Sequence, residues 1–355
     1  MILAGGRRWC MPHGGGHEAV VEALLEAGAS APVWFYGQDQ TLAAVCEGHP
    51  TAGIVRRLVD AGADVESRCY GRPALCNAAR LGNVAVMVAL VDLGVDVAAT
   101  DLMGWTAMHW AANGEVMGWL AARGLSVHGN SGEDSPLHCA CRHGRLNAVR
   151  ALIELGVDFN HKDGDGKTPL HHAVCFHKEP EAMEMTLVLL AAGADINAVD
   201  GRGSTPLHCV GHATCADVLV DTGADLEARD RQRQTPLYHA LCLYPEQEAV
   251  ELTRALLAAG ADINAVDGRG STPLHCVGHA MCADVLVEAG ADLEVRDTEG
   301  KTAIYAAATS TRNRSEVVLR LADRGADLVN TGGEPGLLMR KVEELRAERS
   351  PNHAD

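Results

Sequence analysis

The feature that most constrains this chain is a repeat. A short apolar segment ending in Gly-Ala-Asp or a variant recurs with its glycine at Gly28, Gly62, Gly94, Gly124, Gly156, Gly193, Gly223, Gly260, Gly290 and Gly325, at intervals of 30 to 37 residues and a mean of 33. Between these glycines a tetrapeptide recurs: Ser135-Pro-Leu-His138, Thr168-Pro-Leu-His171, Thr205-Pro-Leu-His208, Thr235-Pro-Leu-Tyr238 and Thr272-Pro-Leu-His275. Looser versions are Thr106-Ala-Met-His109 and Thr302-Ala-Ile-Tyr305, with weaker ones at Thr41 and Pro73. A unit of this length cannot bury a core alone, so each must stack on its neighbours.

Thr before Pro places an N-cap hydroxyl ahead of a residue suited to the first helical position, so each tetrapeptide opens a helix. The closing glycine stands where a left-handed cap ends one. Two short helices fit between them, and the Asp- and Gly-rich stretch after the glycine, as in Asp195 to Gly203, reads as an extended arm with a turn. Second helices carry a one-sided apolar stripe, such as Ala249, Leu252, Leu256 and Leu257. His109, His208 and His275 stand 15 residues before their closing glycines, His138 stands 18, and His171 and Tyr238 stand 22. These steps are close to one helical turn. Pro180 and Pro245 predict that the extra residues of the long units lie in the loop between their helices. Residues Leu189–Ala213 and Leu256–Ala280 are identical over 25 positions at an offset of 67, the mark of a duplicated pair of repeats. Thr214 with Asp217 predicts a capping box that Met281 lacks, so the later copy is expected to fray more.

The tetrapeptides, the Gly-Ala-Asp closures and the period together resemble the ankyrin repeat from about Gly15 to Asp327. The resemblance implies an all-α repeat solenoid of stacked helix-loop-helix units with β-hairpin-like fingers, about nine full repeats plus an N-terminal half repeat. It also implies protein binding across the fingers and inner helices. Cys76 stands where His is usual, Tyr238 and Tyr305 replace that His, and Thr41 lacks the Pro-Leu-His that should follow. In this frame Thr168, His171, Thr205, His208, Thr272 and His275 are helix-start residues, each His bonding its own helix start and the next repeat. The expected domains are a segment 1–13, a solenoid 14–330 and a capping helix with tail, 331–355, in which Leu337, Leu338, Val342 and Leu345 form an apolar stripe along Pro335 to Arg349. Because the first unit enters at a second helix, Met1 to His13 is expected to serve as a makeshift cap, unless the chain is a piece of a longer product.

Lys and Arg number 30 against 47 Asp and Glu, a net charge of -17, which disfavours nucleic acid and anionic membranes. No uncharged apolar run reaches membrane-spanning length, and no apolar core follows Arg7 and Arg8. A soluble, monomeric protein of the cytoplasm or nucleus is expected. The 12 Cys sit at periodic apolar positions, as small buried hydrophobes do, and are expected to be reduced. Gly164-Asp-Gly-Lys-Thr168 looks like the end of a phosphate loop, but His161 stands where the loop needs Gly, and Lys167 blocks an EF-hand reading from Asp163 and Asp165. His208, Cys209, His212 and Cys215, repeated at His275, Cys276, His279 and Cys282, are the right donor types for zinc. The same residues fit buried helix positions, so no metal and no cofactor are expected.

With only 4% aromatic residues, each aromatic position carries weight. Trp105 falls in a finger, Trp110 follows His109 on the first helix, and Leu102 and Met103 occupy the same finger; aromatic anchors dominate interfaces. Arg231, Gln232, Arg233 and Gln234 form the most distinctive polar finger. These eight residues are the expected partner contacts. The expected function is a non-catalytic protein-interaction scaffold or adaptor. The alternatives are a client-recruiting subunit of a ubiquitin ligase or part of a larger multidomain protein, and a zinc-binding protein built on the duplicated Cys and His cluster.

Overall fold

The structure, a computed structural model, describes residues 34–35, 38–39, 41–48, 50–129, 134–310, 314–329 and 336–349. Segment 1–13, the half repeat as far as Gly28, and Pro335 lie outside the described residues. Cα packing separates two compact units, Met1–Gly164 and Asp165–Asp355.

In the first unit a two-stranded finger, β1 (Trp34–Phe35) with β2 (Gln38–Asp39), precedes helices α1 (Thr41–Val45) and α2 (Ala52–Asp60). A second finger, β3 (Arg68–Cys69) with β4 (Arg72–Pro73), pairs Arg68 with Pro73 and Cys69 with Arg72. It leads into α3 (Ala74–Leu81) and α4 (Val84–Asp92), followed by α5 (Ala107–Trp110), α6 (Gly114–Ala121), α7 (Pro136–Arg142) and α8 (Leu146–Glu154). First helices pack on first helices, α3 to α5 to α7, and second on second, α2 to α4 and α6 to α8. Leu75, Met87, Leu90, Met108, Met117, Leu137 and Leu152 fill the space between the layers with almost no exposed surface.

The second unit repeats the scheme. It runs α9 (Pro169–Val174), α10 (Glu179–Ala192), a 3-10 turn (Pro206–Cys209), α11 (Ala213–Asp221), α12 (Pro236–Leu243), α13 (Glu246–Ala258), α14 (Pro273–Cys276), α15 (Ala280–Glu288), α16 (Ala303–Thr309) and α17 (Ser315–Asp323). Helix α18 (Leu337–Arg349) then covers the open ends of α16 and α17. Leu338, Val342 and Leu345 are buried against them, Leu337 is half-buried, and Arg346 reaches Asp323 at 2.6 Å.

Each described closing glycine from Gly62 to Gly325 has φ between 72° and 103°. A Cβ built on Gly223 would meet nothing within 4 Å, so the left-handed backbone rather than crowding requires glycine there.

The long and short units differ from expectation in where they gain and lose residues. In the long units the second helix lengthens, from 9 residues in α8 to 14 in α10 and 13 in α13. Pro180 lies within the first turn of α10 and Pro245 is the N-cap of α13, positions where the missing N–H costs nothing. Short units lose the last turn of the first helix, 7 residues in α7 against 4 in α5, α14 and the 3-10 turn.

The expected capping box at Thr214 is also corrected. His212 is the N-cap of α11, and Thr214, already inside the helix, donates its hydroxyl to Glu179 at 3.0 Å. In the copy, Glu246 accepts the Met281 backbone N–H at 3.2 Å, and both helices span nine residues. An acidic side chain from the preceding repeat thus serves both helix starts, and the loss of Thr is compensated.

Because neighbours alone support each repeat, excising Leu189–Ala255 joins identical sequence contexts and is expected to leave a folded, shorter second unit. Circular dichroism should show unchanged helicity per residue and one cooperative melt. A noncooperative melt would refute nearest-neighbour stacking.

Candidate functional site

The surface offered by fingers and first helices is built on a recurring aspartate. Asp101 accepts the backbone N–H groups of Met103 at 2.8 Å and Trp105 at 3.0 Å. Asp200, Asp230, Asp267 and Asp297 do the same for residues two and four positions on. Each loop is closed by a backbone bond, such as Asp230 N–H to Gln234 C=O at 3.1 Å. Fingers of the second unit are joined in series: Gly201 donates to Asp165, Arg231 to Arg202, Gly268 to Gln232 and Thr298 to Arg269, all at 2.8 to 2.9 Å. The sequence shows the Asp-Gly turns, but the carboxylate's double acceptor role is visible only once the loop closes.

Under the fingers, the tetrapeptide residues tie one repeat to the next. Thr168 N–H donates to His171 Nδ1 at 3.1 Å and its hydroxyl lies 2.9 Å from the same nitrogen. The ring proton therefore sits on Nε2, which donates to the Ser204 carbonyl at 3.0 Å. Thr205 and His208 repeat this toward Gln234, and Thr272 and His275 toward Lys301, each with Nε2 at 3.1 Å from the carbonyl. Thr106 and His109 do so toward Asp134. Where Tyr238 and Tyr305 replace His, the buried hydroxyls of Thr235 and Thr302 have no hydrogen-bond partner among the described residues. Burial holds the His109 and His171 imidazoles below their ordinary value and lowers His208 to about 4.

The expected contact residues separate into two groups in the first unit. Leu102 and Met103 are 82% and 64% exposed at the finger tip, whereas Trp105 and Trp110 are each only 6% exposed. The expectation of an exposed Trp105 is corrected: its ring stacks on His109 at 6.4 Å and meets Trp110 at 5.5 Å and His143 at 6.0 Å. Trp110 donates Nε1–H to Asp101 at 2.8 Å, fixing the finger to its helix. Both indoles are thus the base of the finger rather than its tip.

In the second unit Arg231, Gln232 and Arg233 are exposed and Gln234 is half-buried, its carbonyl receiving the His208 bond. Arg233 has φ of 62°, at the finger position that Gly203, Gly270 and Gly300 occupy elsewhere. A non-glycine residue there costs about 1 kcal/mol. Arg229 Nη1 donates to the Arg233 carbonyl at 3.0 Å and also to the Val266 carbonyl, holding the strained loop. His239 Nε2 lies 2.9 Å from Asp230, the equivalent of the Trp110 bond to Asp101.

The four candidate zinc donors do not converge. His208 Nε2 faces Gln234 and His212 Nε2 lies 2.8 Å from the Phe176 carbonyl. Among the described residues no three of them gather within 4.8 Å. Burial raises the Cys209 thiol to about 12 and Cys215 to about 11, against the thiolate that zinc requires. In the later copy His279 Nε2 likewise faces the Tyr244 carbonyl at 3.2 Å. These imidazoles staple a repeat to the preceding first helix, a role the sequence pattern does not reveal. The described cysteines are free thiols, and no helix among the described residues is long and apolar enough to cross a membrane.

Comparison with known proteins follows the same pattern. The family described as ankyrin repeats, in a model of three copies, matches residues 41–131, 123–200, 181–267 and 246–331. The chain is similar to a Danio rerio protein named as a palmitoyltransferase, with 28% identity over 224 residues, 61% of this chain and 29% of that protein. It is similar to alpha-latrotoxin-Lg1a of Latrodectus geometricus, 31% identical over 128 residues, 34% of this chain and 9% of the toxin. It is also similar to the E3 ubiquitin-protein ligase KEG of Arabidopsis thaliana, 25% identical over 339 residues, 79% of this chain and 20% of the ligase. The chain spans less than a third of the length of each.

Two outcomes are expected from these bonds. Thr205→Val should cost about 1 kcal/mol by removing a bonded hydroxyl, whereas Thr235→Val should be neutral or stabilising because its hydroxyl is already unpaired. Urea denaturation of the two variants checks this, and equal losses would show the Tyr repeats to be capped after all. The depressed imidazoles make the unfolded chain bind protons that the folded protein refuses. Their contribution is complete above the ordinary value of 6.5 and is lost as pH falls toward 4. The urea midpoint should already decline between pH 7 and 5.5, before most carboxylates titrate, and a flat midpoint there would contradict the assignment.

Proposed function

Because the chain belongs to the ankyrin-repeat family, we propose that it is a non-catalytic scaffold or adaptor that holds a protein partner across its fingers and inner helices. The observation that carries the reading is the pair Leu102 and Met103, large apolar side chains held out at the tip of a finger whose base is fixed by Asp101. Exposed apolar surface on a rigid support is where partners gain contact area. Trp105 and Trp110 support that finger from beneath, and Arg231, Gln232 and Arg233 with Gln234 provide a polar contact in the second unit. The proposal places the protein in the cytoplasm or nucleus, as a monomer with reduced thiols. The count of about nine full repeats belongs to the same proposal and rests on the closing glycines.

A second reading is a client-recruiting part of a larger enzyme. It is favoured by the similarity to a ubiquitin ligase and to a protein named as a palmitoyltransferase, each matched over under a third of its length. Affinity capture from native extract separates the two by whether ligase or transferase components accompany the chain. With Leu102→Ser and Met103→Ser combined, capture of the main partner is expected to weaken at least about tenfold, near 1.4 kcal/mol, with the denaturation midpoint unchanged. Full retention of binding by that variant and by Arg231→Ala with Arg233→Ala would refute the finger surface.

A further inference from the structure

The first unit contains a concentration of positive charge that stands out in a chain of net charge -17. Arg72 comes from the finger strand β4, Arg80 from the last turn of α3, and Arg145 from the turn between α7 and α8. The Arg72 guanidinium carbon lies 3.9 Å from the Trp110 ring centroid and that of Arg145 lies 4.9 Å from the same centroid, so both share one indole. Burial, and then the Arg72 charge, holds the Arg80 guanidinium below its ordinary value. Burial also lowers Arg145 to about 10, with Arg80 and Arg72 adding to the effect. His143 is pushed down to about 4, first by burial and then by Arg145, Arg142, Arg72 and Arg80.

The protein's own groups do not satisfy this cluster. Arg72 Nε, Arg80 Nε and Arg145 Nη2 are buried with no hydrogen-bond partner among the described residues. Arg72 Nη1 meets Asn77 at 3.2 Å and lies 3.7 Å from Glu47. Arg145 Nη1 donates to the His109 carbonyl at 2.8 Å. Arg142 is engaged by Asp134 at 2.6 Å and Asp163 at 3.6 Å, and Asp101 accepts from Trp110. A purely structural role explains one bond of Arg145, because Arg314 makes the same bond to His275 in the second unit. Arg314 also has a buried, unpartnered Nε, so the orphaned nitrogen of Arg145 has a structural counterpart; those of Arg72 and Arg80 do not, and crowding like charges with unpaired donors is unfavourable by itself.

We propose that Arg72, Arg80 and Arg145 form a binding site for a carboxylate side chain of the partner polypeptide, an acidic segment whose apolar neighbour packs on Leu102 and Met103. Two features favour a peptide carboxylate. Guanidinium forks match a carboxylate in two-point hydrogen bonding, and the Trp110 ring holds two of them in place. The apolar tip lies against the finger strand that carries Arg72: Leu102 lies over Gly71, so close that a Cβ there would come within 2.3 Å of it, and Arg72 is the next residue. The proposal rests on the protein-binding reading and adds the chemistry of the partner.

The test uses the full chain and a fluorescently labelled octapeptide of alternating glutamate and leucine, followed by anisotropy. Matched peptides carry glutamine or phosphoserine in place of glutamate. The glutamate peptide is expected to bind, the glutamine peptide at least tenfold more weakly, and added salt to weaken the first only. Arg80→Met should reduce glutamate-peptide binding at least tenfold while keeping or raising the denaturation midpoint, since a like charge leaves the cluster. Arg145→Met should also weaken binding, and Arg254→Gln, an exposed arginine of α13 outside the fingers, should not. Equal binding of the glutamate and glutamine peptides would overturn the site, as would an Arg80→Met variant that loses stability but keeps binding. Tighter binding of the phosphoserine peptide would overturn the carboxylate assignment. Any of these results, with finger-dependent capture of the partner intact, would remove this inference and leave the interaction reading standing.

Discussion

The finger bases at Asp134, Ser204, Gln234 and Lys301 depend on an imidazole that uses its two nitrogens differently. In His171, His208 and His275, Nδ1 accepts from the Thr that opens the helix, while Nε2 donates to a carbonyl at the base of the next finger. One side chain therefore fixes a helix start and the distance to the following repeat. No other residue type offers an acceptor and a donor on a rigid ring with this separation. A protonated ring would have two donors and lose the acceptor. Tyrosine at the same place keeps the apolar volume but not the acceptor, which is why Thr235 and Thr302 keep buried, unpaired hydroxyls.

The fingers inherit their rigidity from this anchoring and from the aspartates above it. Asp230 accepts two backbone N–H groups and receives His239, so the Arg231–Gln234 loop is ordered despite the positive φ of Arg233. A partner that meets such a loop does not have to order it, which lowers the entropic cost of association. Asp101 does the same for Leu102 and Met103, and the two indoles behind it provide mass and stiffness rather than contact area.

Much of this was legible in the sequence because it is local. A Thr-Pro pair, a closing glycine and an Asp-Gly turn each act within a few residues, and the helices open and close where those signals stand. What was illegible depends on contacts a full repeat away. Trp105 looks like an exposed anchor until His143 and Arg142 arrive from the next repeat to cover it. Thr214 looks like a cap until Glu179 claims its hydroxyl. The extra residues of the long repeats satisfy helical spacing equally well in a loop or in a helix, and only packing selects the lengthened α10 and α13. The arginine cluster draws on residues 72, 80 and 145, too far apart in sequence for any motif to join them.

The duplicated stretch has a consequence for how the chain reaches its structure. Leu189–Ala213 and Leu256–Ala280 are the same 25 residues, and each docks against neighbours of similar shape. During refolding from denaturant the two compete for the same cradles. A copy seated in the other's place, two repeats away, presents the same 25 residues to its neighbours as the native one. Discrimination then falls on what lies just beyond the identical segment, where Thr214 reaches Glu179 by its hydroxyl and Met281 reaches Glu246 only by its backbone. Stacked repeats that are this alike are stable by addition, and that sameness makes out-of-order docking a kinetic trap.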